Sequence, residues 1–165
     1  MAGMALGELF MERRTHSIIG AFYEVYNTLG FGFAEHLYVK ALERELLARG
    51  HRVAREFLVR VYYKGEELGT QRLDMVVDGV IVVESKSTYV LSPGAKRQTY
   101  NYLRCTNLNV GLLLHFGPKP KVHRLYCRSQ SGDCPIDAYI DPPNPEASFD
   151  RSSLGPDEPD EEAIL

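Results

Sequence analysis

The chain has 165 residues, 44% hydrophobic and 25% charged, with a net charge of −3: one domain's worth of globular polypeptide, with no room for a second core. No run approaches the ~18 apolar residues that cross a bilayer. Residues 1–10, MAGMALGELF, also lack the basic start and long apolar stretch of a secretory signal. Cys105, Cys127 and Cys134 are odd in number and lack CxxC spacing, which argues against a disulfide framework and fits a reducing, cytoplasmic setting.

Residues 1–11 are expected to be a flexible N-terminus. The spacing of Ile18, Ile19, Phe22, Val25 and Tyr26 then predicts a helix over 12–29, ending before Gly30. In GFGFAEHLYVKALERELLARG a glycine-rich turn opens a second helix over 34–49, closed by Gly50 at C′. RVAREFLVRVYYKGEELG alternates and turns at Lys64-Gly65, which reads as a hairpin, and TQRLDMVVDGVIVVESKS supplies two further strand signals around Asp78-Gly79. Ser92 followed by Pro93 is an N-cap with proline at N1, opening a third helix over 93–105. NVGLLLHF and KVHRLYC finish as strands around Gly117-Pro118. The order is ααβββαββ, an α/β domain over residues 12–128 with a central mixed sheet flanked by helices.

Charge is unevenly placed. Residues 1–128 carry 18 Lys and Arg against 12 Asp and Glu, a balance of +6, whereas 129–165 carry one Arg against 10 Asp and Glu, a balance of −9. The acidic, proline-rich segment has too few apolar residues to offset the entropy of ordering and is expected to be a disordered tail. It reads as a solubilising segment in preference to one that competes for the basic body.

The stretch VIVVESKSTY, residues 80–89, begins as a buried strand and ends in charges. Glu84 and Lys86 project from one face of that strand and Ser85 from the other. Whether Asp74 of the preceding strand joins them depends on the turn. A two-residue Asp78-Gly79 loop pairs Asp74 with Val83 and sends Glu84 to the other face. A three-residue Val77-Asp78-Gly79 loop, with Gly79 left-handed, pairs Asp74 with Val82 and leaves Glu84 diagonally adjacent. The sequence allows both. If the carboxylates converge they repel unless a cation lies between them, and hard oxygen ligands suit Mg²⁺ or Mn²⁺, with the Ser85 backbone carbonyl as a further ligand. A lysine two residues on can orient water or stabilise charge developing on phosphate. The bland alternative is a solvated Glu84–Lys86 pair where the strand leaves the core.

An acidic residue on one strand, ESK at the end of the next and a helix carrying QTYNY together resemble the PD-(D/E)xK nuclease superfamily, including its Gln-x-x-x-Tyr helix motif at Gln98 and Tyr102. Gly32, Glu35 and Tyr38 in GFAEHLY stand at the spacing of the GxxExxY family of prokaryotic proteins, placed in the same superfamily. The resemblance spans residues 13–126. It implies a restriction-endonuclease-like core and a Mg²⁺- or Mn²⁺-dependent nuclease. It further implies Asp74 and Glu84 as metal-binding carboxylates, Lys86 as catalytic lysine, Glu35 as an extra acidic residue that adds a ligand or activates water, and Gln98 and Tyr102 flanking the site. Two departures are Leu73 where proline is common and Ser85 where an apolar residue is usual.

The basic body suits nucleic acid, with DNA expected over RNA. Arg97 and Arg104, seven apart on the third helix, and Lys96 are candidates for gripping backbone; Tyr89 and Tyr100 are weaker candidates for stacking on bases. No sequence-reading module is visible, so any recognition is expected to be of backbone or structure. His115, His123 and Cys127 lack paired zinc-ligand spacing. A competing expectation is a non-catalytic nucleic-acid-binding or protein-interaction module, or a subunit or homodimer awaiting its partner.

Overall fold

In the computed structural model, which describes residues 6–127, eight elements follow in the expected order. They are α1 (Leu6–Leu29), α2 (Glu35–Ala48), β1 (Val53–Tyr63), β2 (Glu66–Val77), β3 (Ile81–Lys86), α3 (Pro93–Thr106), β4 (Val110–His115) and β5 (Lys121–Tyr126). The acidic segment from residue 129, with Cys134, lies outside the described residues. Among the described residues no helix is long and apolar enough to cross a membrane.

The strands form one mixed sheet in the order β1-β2-β3-β4-β5. Among the described strands β3 and β4 run parallel, because α3 carries the chain between them; the other neighbours are antiparallel. Met75, Val77, Ile81, Val83, Leu112 and Leu114 pack on one face against α1 and α2, through Ile18, Phe22, Tyr38, Leu42 and Leu46. Val59, Leu73, Val76 and Val82 pack on the other face against Tyr102, Leu103 and Cys105 of α3. With both faces covered, β3 and β4 are nearly continuous apolar runs, as expected for the parallel centre of a sheet. Each fully buried large apolar side chain contributes roughly 1.5–3 kcal/mol, so a core on both faces can carry a buried ionisable cluster at its edge.

Two expectations are corrected. The first helix begins at Leu6, reaching into the segment expected to be flexible. Arg14 lies over the Phe10 ring at 3.8 Å and Met11 packs on the core, contacts that extend the helix beyond what its apolar spacing alone indicated. The second correction is the turn between β2 and β3. It is neither anticipated form: Val77 pairs with Ile81, leaving Asp78-Gly79-Val80 as the loop, with Asp78 at φ 55° and Gly79 at φ 74°.

A left-handed aspartate is strained, and its side chain supplies the compensation. Asp78 accepts hydrogen bonds from Arg52 N at 2.9 Å and His51 Nδ1 at 2.9 Å, and pairs with Arg14 Nε at 3.2 Å. His51 Nε2 in turn meets Ser17 Oγ at 2.8 Å. This serine–histidine–aspartate chain has the order of a hydrolytic relay. Ser17, however, lies inside α1, where backbone N–H groups that would hold an oxyanion are committed to the helix. The chain is a latch tying α1 to the strand turn. Burial works against the Asp78 carboxylate, but His51, Arg52 and Arg14 outweigh it and hold its pKa below the usual range. The ion-paired form therefore adds stability that is present above the ordinary aspartate pKa and fades as pH falls through the lowered folded value. Asp78→Ala is expected to lower stability by roughly 1–3 kcal/mol through the partners left unpaired; chemical denaturation at pH 7 checks it, and an unchanged midpoint would remove the latch.

Candidate active site

The observed turn brings the charges together. The last ladder pair toward the site is Met75 with Val83, and just beyond it Asp74 lies close enough for its charge to bear on Glu84. The pairing of β1 with β2 skips the step between Arg55–Met75 and Phe57–Leu73, where Glu56 has φ 51°. Asp74 sits opposite that irregularity. Its carboxylate Oδ2 accepts a hydrogen bond from Ser85 N at 2.7 Å, across the strand.

Glu84 is buried, its side chain 4% exposed. Lys86 Nζ donates to Glu84 Oε1 at 2.9 Å and pairs with Glu35 Oε1 at 3.7 Å, so the ammonium bridges β3 and α2. Glu84 Oε2 and Ser85 Oγ are buried without a hydrogen-bond partner among the described residues. Burial and the neighbouring Asp74 charge push the Glu84 pKa up to about 7 despite Lys86. Burial also raises Asp74, against the Ser85 N–H and the Lys86 charge. For Lys86 burial opposes the charged form, but Glu84, Glu35 and Asp74 outweigh it and raise the pKa, keeping the ammonium protonated. Burial and the Glu84 charge raise the Tyr102 hydroxyl pKa, against the Gln98 side chain one helical turn away.

Glu35 reaches the cluster because of the turn before α2. Gly30 and Gly32 have φ 73° and 113°, values that suit glycine. Tyr38, fully buried and stacked on Phe116 at 4.3 Å between ring centroids, donates its hydroxyl to Gly30 O at 2.6 Å and accepts from Phe33 N at 3.2 Å. Three residues before Tyr38, Glu35 opens the helix and accepts from Ser87 N at 3.1 Å, while Ser87 Oγ donates to Phe33 O at 2.7 Å. The glycine–glutamate–tyrosine spacing is thus a turn, a reaching carboxylate and the phenol that pins the turn. Gly32→Ala meets no atom within 4 Å, so its effect isolates backbone strain. A loss of roughly 1–3 kcal/mol is expected, read by thermal unfolding; no loss would mean the turn tolerates another path.

An open cleft of about 460 Å³ lies over this face, lined by Gln71, Lys86, Arg97, Gln98, Asn101 and Tyr102 among others. Arg97 borders it and stands 5.7 Å from the Tyr100 ring centroid. Lys96 is exposed and close enough to His123 to assist burial in lowering that imidazole's pKa, and Arg104 is half-buried in the last turn of α3; neither lines the cleft. Gln71, Asn101 and Ser87 were not singled out from the sequence. Asn101 lies three residues after Gln98, on the same helix face, which is the one signal that could have found it.

Asp74 and Glu84 are the carboxylates available to a divalent cation, and one buried glutamate oxygen has no hydrogen-bond partner among the described residues. The expected third carboxylate does not gather with them. No group of three or more His, Cys, Asp or Glu side chains among the described residues stands at metal-ligand spacing, and Glu35 is engaged by Ser87 N and Lys86 instead.

The site thus sets two neighbouring carboxylates and a lysine on a mixed α/β sheet. The sequence profile of the PD-(D/E)XK nuclease superfamily matches residues 12–125, and the chain belongs to that superfamily. Its members act on nucleic acid and generally use divalent metals. No curated protein matches the chain. Among solved structures, the one titled "Crystal structure of SSO0001" superposes with a TM-score of 0.48 at 18% identity, covering 61% of this chain and 53% of that one. The match spans about half the length of that protein.

Proposed function

We propose that the chain is a Mg²⁺- or Mn²⁺-dependent nuclease, cleaving DNA in preference to RNA, and that Gly32, Glu35 and Tyr38 place it with the GxxExxY proteins. The observation that carries the reading is the closeness of Asp74 to Glu84, with Lys86 bridging to Glu35 beside a cleft bordered by Gln98 and Tyr102. Asp74, Glu84 and the Ser85 carbonyl would hold the ion. When bound, such an ion polarises a phosphoryl oxygen and lowers the pKa of water.

The side chains divide the remaining work. Lys86, kept protonated by its three acidic neighbours, lies where it can stabilise negative charge developing on phosphate. Glu35 positions Lys86 and fixes the start of the loop after β3 through Ser87. Gln98 and Tyr102 offer polar groups to the scissile backbone, and Arg97 offers a cation at the rim. Lys96 and Arg104 would grip backbone farther along α3. With no sequence-reading module in the described residues, recognition is of backbone and shape, and a second copy or a protein partner would supply any further selectivity.

One observation favours a second reading, a non-catalytic nucleic-acid binder: Lys86 already neutralises Glu84, and three carboxylates do not gather. Calorimetric titration with Mn²⁺ separates the two. The nuclease reading expects binding that Asp74→Asn and Glu84→Gln each weaken at least tenfold; a wild-type chain that takes up no Mn²⁺, yet binds DNA with a steep salt dependence, is the binder.

A further inference from the structure

The loop after β3 and the α1–α2 turn together leave four large side chains in solvent beside the charged cluster. Tyr89 is 76% exposed, Val90 75%, Phe33 47% and Phe31 42%. Phe31 and Tyr89 meet edge to face, 6.1 Å between centroids, across the gap between the α1–α2 turn and the β3–α3 loop. The two segments are fixed together: Ser87 donates its N–H to Glu35 and its hydroxyl to Phe33 O. Tyr89 is three positions beyond Lys86, at most ~11 Å of extended chain. This aromatic pair has no role in the core.

Charge on the other side of the cluster indicates what covers it. Between residues 85 and 127 the chain carries seven Lys and Arg and no Asp or Glu, so the charged side chains of α3 and β5 are all cations. A phosphate-rich partner suits that surface, and its bases are the apolar groups that suit two exposed aromatic rings. In a duplex the base faces are stacked on one another; only an unpaired base can present its face to a tyrosine on a loop.

We propose that Phe31 and Tyr89 form a stacking platform for an unpaired base next to the phosphate held at Lys86, which makes single-stranded or frayed nucleic acid the substrate class of this site. The proposal rests on the nuclease reading for the word substrate, but the stacking itself is a matter of binding and is measured without turnover.

The experiment is fluorescence titration at fixed salt, with EDTA present so that nothing is cut, of a single-stranded DNA oligonucleotide carrying 2-aminopurine and of a blunt duplex of the same length. Wild type is expected to favour the single strand and to quench the probe. Tyr89→Ala is expected to weaken single-strand binding about tenfold and abolish quenching, with duplex binding unchanged, and Tyr89→Phe to behave as wild type. Phe31→Ala provides a second, independent variant. Unchanged single-strand affinity in both alanine variants would overturn the platform. So would a loss of mass on sedimentation of Tyr89→Ala, which would make the patch a contact between copies. If wild type stacks the base but cuts nothing with Mn²⁺, the nuclease reading fails and the platform stands. If single strand and duplex are cut alike and Tyr89→Ala changes neither, the platform fails and the nuclease reading stands.

Discussion

Lys86→Ala is expected to lower Mn²⁺-dependent phosphodiester cleavage by roughly 10²–10³, the usual consequence of removing one charge that stabilises a transition state, while Mn²⁺ affinity holds or tightens. The split follows from the geometry. Lys86 Nζ lies 2.9 Å from Glu84 Oε1, so in the metal-free chain the ammonium is a resident counter-ion and a competitor for the same oxygen. Removing it leaves the carboxylates freer to bind a cation and takes away the charge needed on phosphate. A purely structural lysine would give the opposite pattern, with folding and metal affinity falling together. Single-turnover cleavage alongside metal titration reads both quantities.

The second large effect is a pH dependence of stability set by Glu84. Its folded pKa, pushed up to about 7, lies above the ordinary value of 4.5, so between these limits the folded chain binds more protons than the unfolded one. Stability without metal is therefore highest below about pH 4.5 as far as this group is concerned, and it declines as pH rises toward and through 7. The raised pKa of Asp74 acts in the same direction. Because the Glu84 side chain is almost fully buried, the effect is on the order of 3 kcal/mol, roughly 10 °C in melting temperature for a domain of this size. Glu84→Gln, which keeps shape and removes the charge, is expected to melt higher than wild type at pH 8 in EDTA and to lose most of the decline between pH 5 and 8. Melting curves that run parallel for the two proteins would show that Glu84 carries no such strain.

The elements that the sequence made legible are those with strong local periodicity. The helix over Ile18, Phe22 and Val25 and the apolar run into β3 both follow from spacing, and Ser92-Pro93 marked the start of α3 to the residue. The β2–β3 turn was not legible. Asp-Gly is a strong turn signal at several loop lengths, and the choice was settled by the Asp78 carboxylate binding Arg52, His51 and Arg14, contacts made 26, 27 and 64 residues away in the chain. The approach of Asp74 to Glu84 depends on that choice. Glu35 was found by motif spacing, but its attachment to Ser87 and Lys86 in place of the two acids is a long-range contact with no local signature. Ser85 shows the same limit. Its buried hydroxyl has no partner among the described residues, and nothing in the structure explains why serine stands there.

The central claim is that the Asp74–Glu84–Lys86 cluster is a metal-dependent nuclease centre, and cleavage tests it most directly. Labelled single-stranded, duplex, branched and RNA substrates would be incubated with Mg²⁺, Mn²⁺ or EDTA, comparing wild type with Glu84→Gln and Lys86→Ala. The expected result is metal-dependent cutting by wild type, strongest on DNA, that both substitutions reduce to near background while their folded structure persists. Equal cutting by all three proteins, or no cutting by wild type on any substrate with either metal, would contradict it.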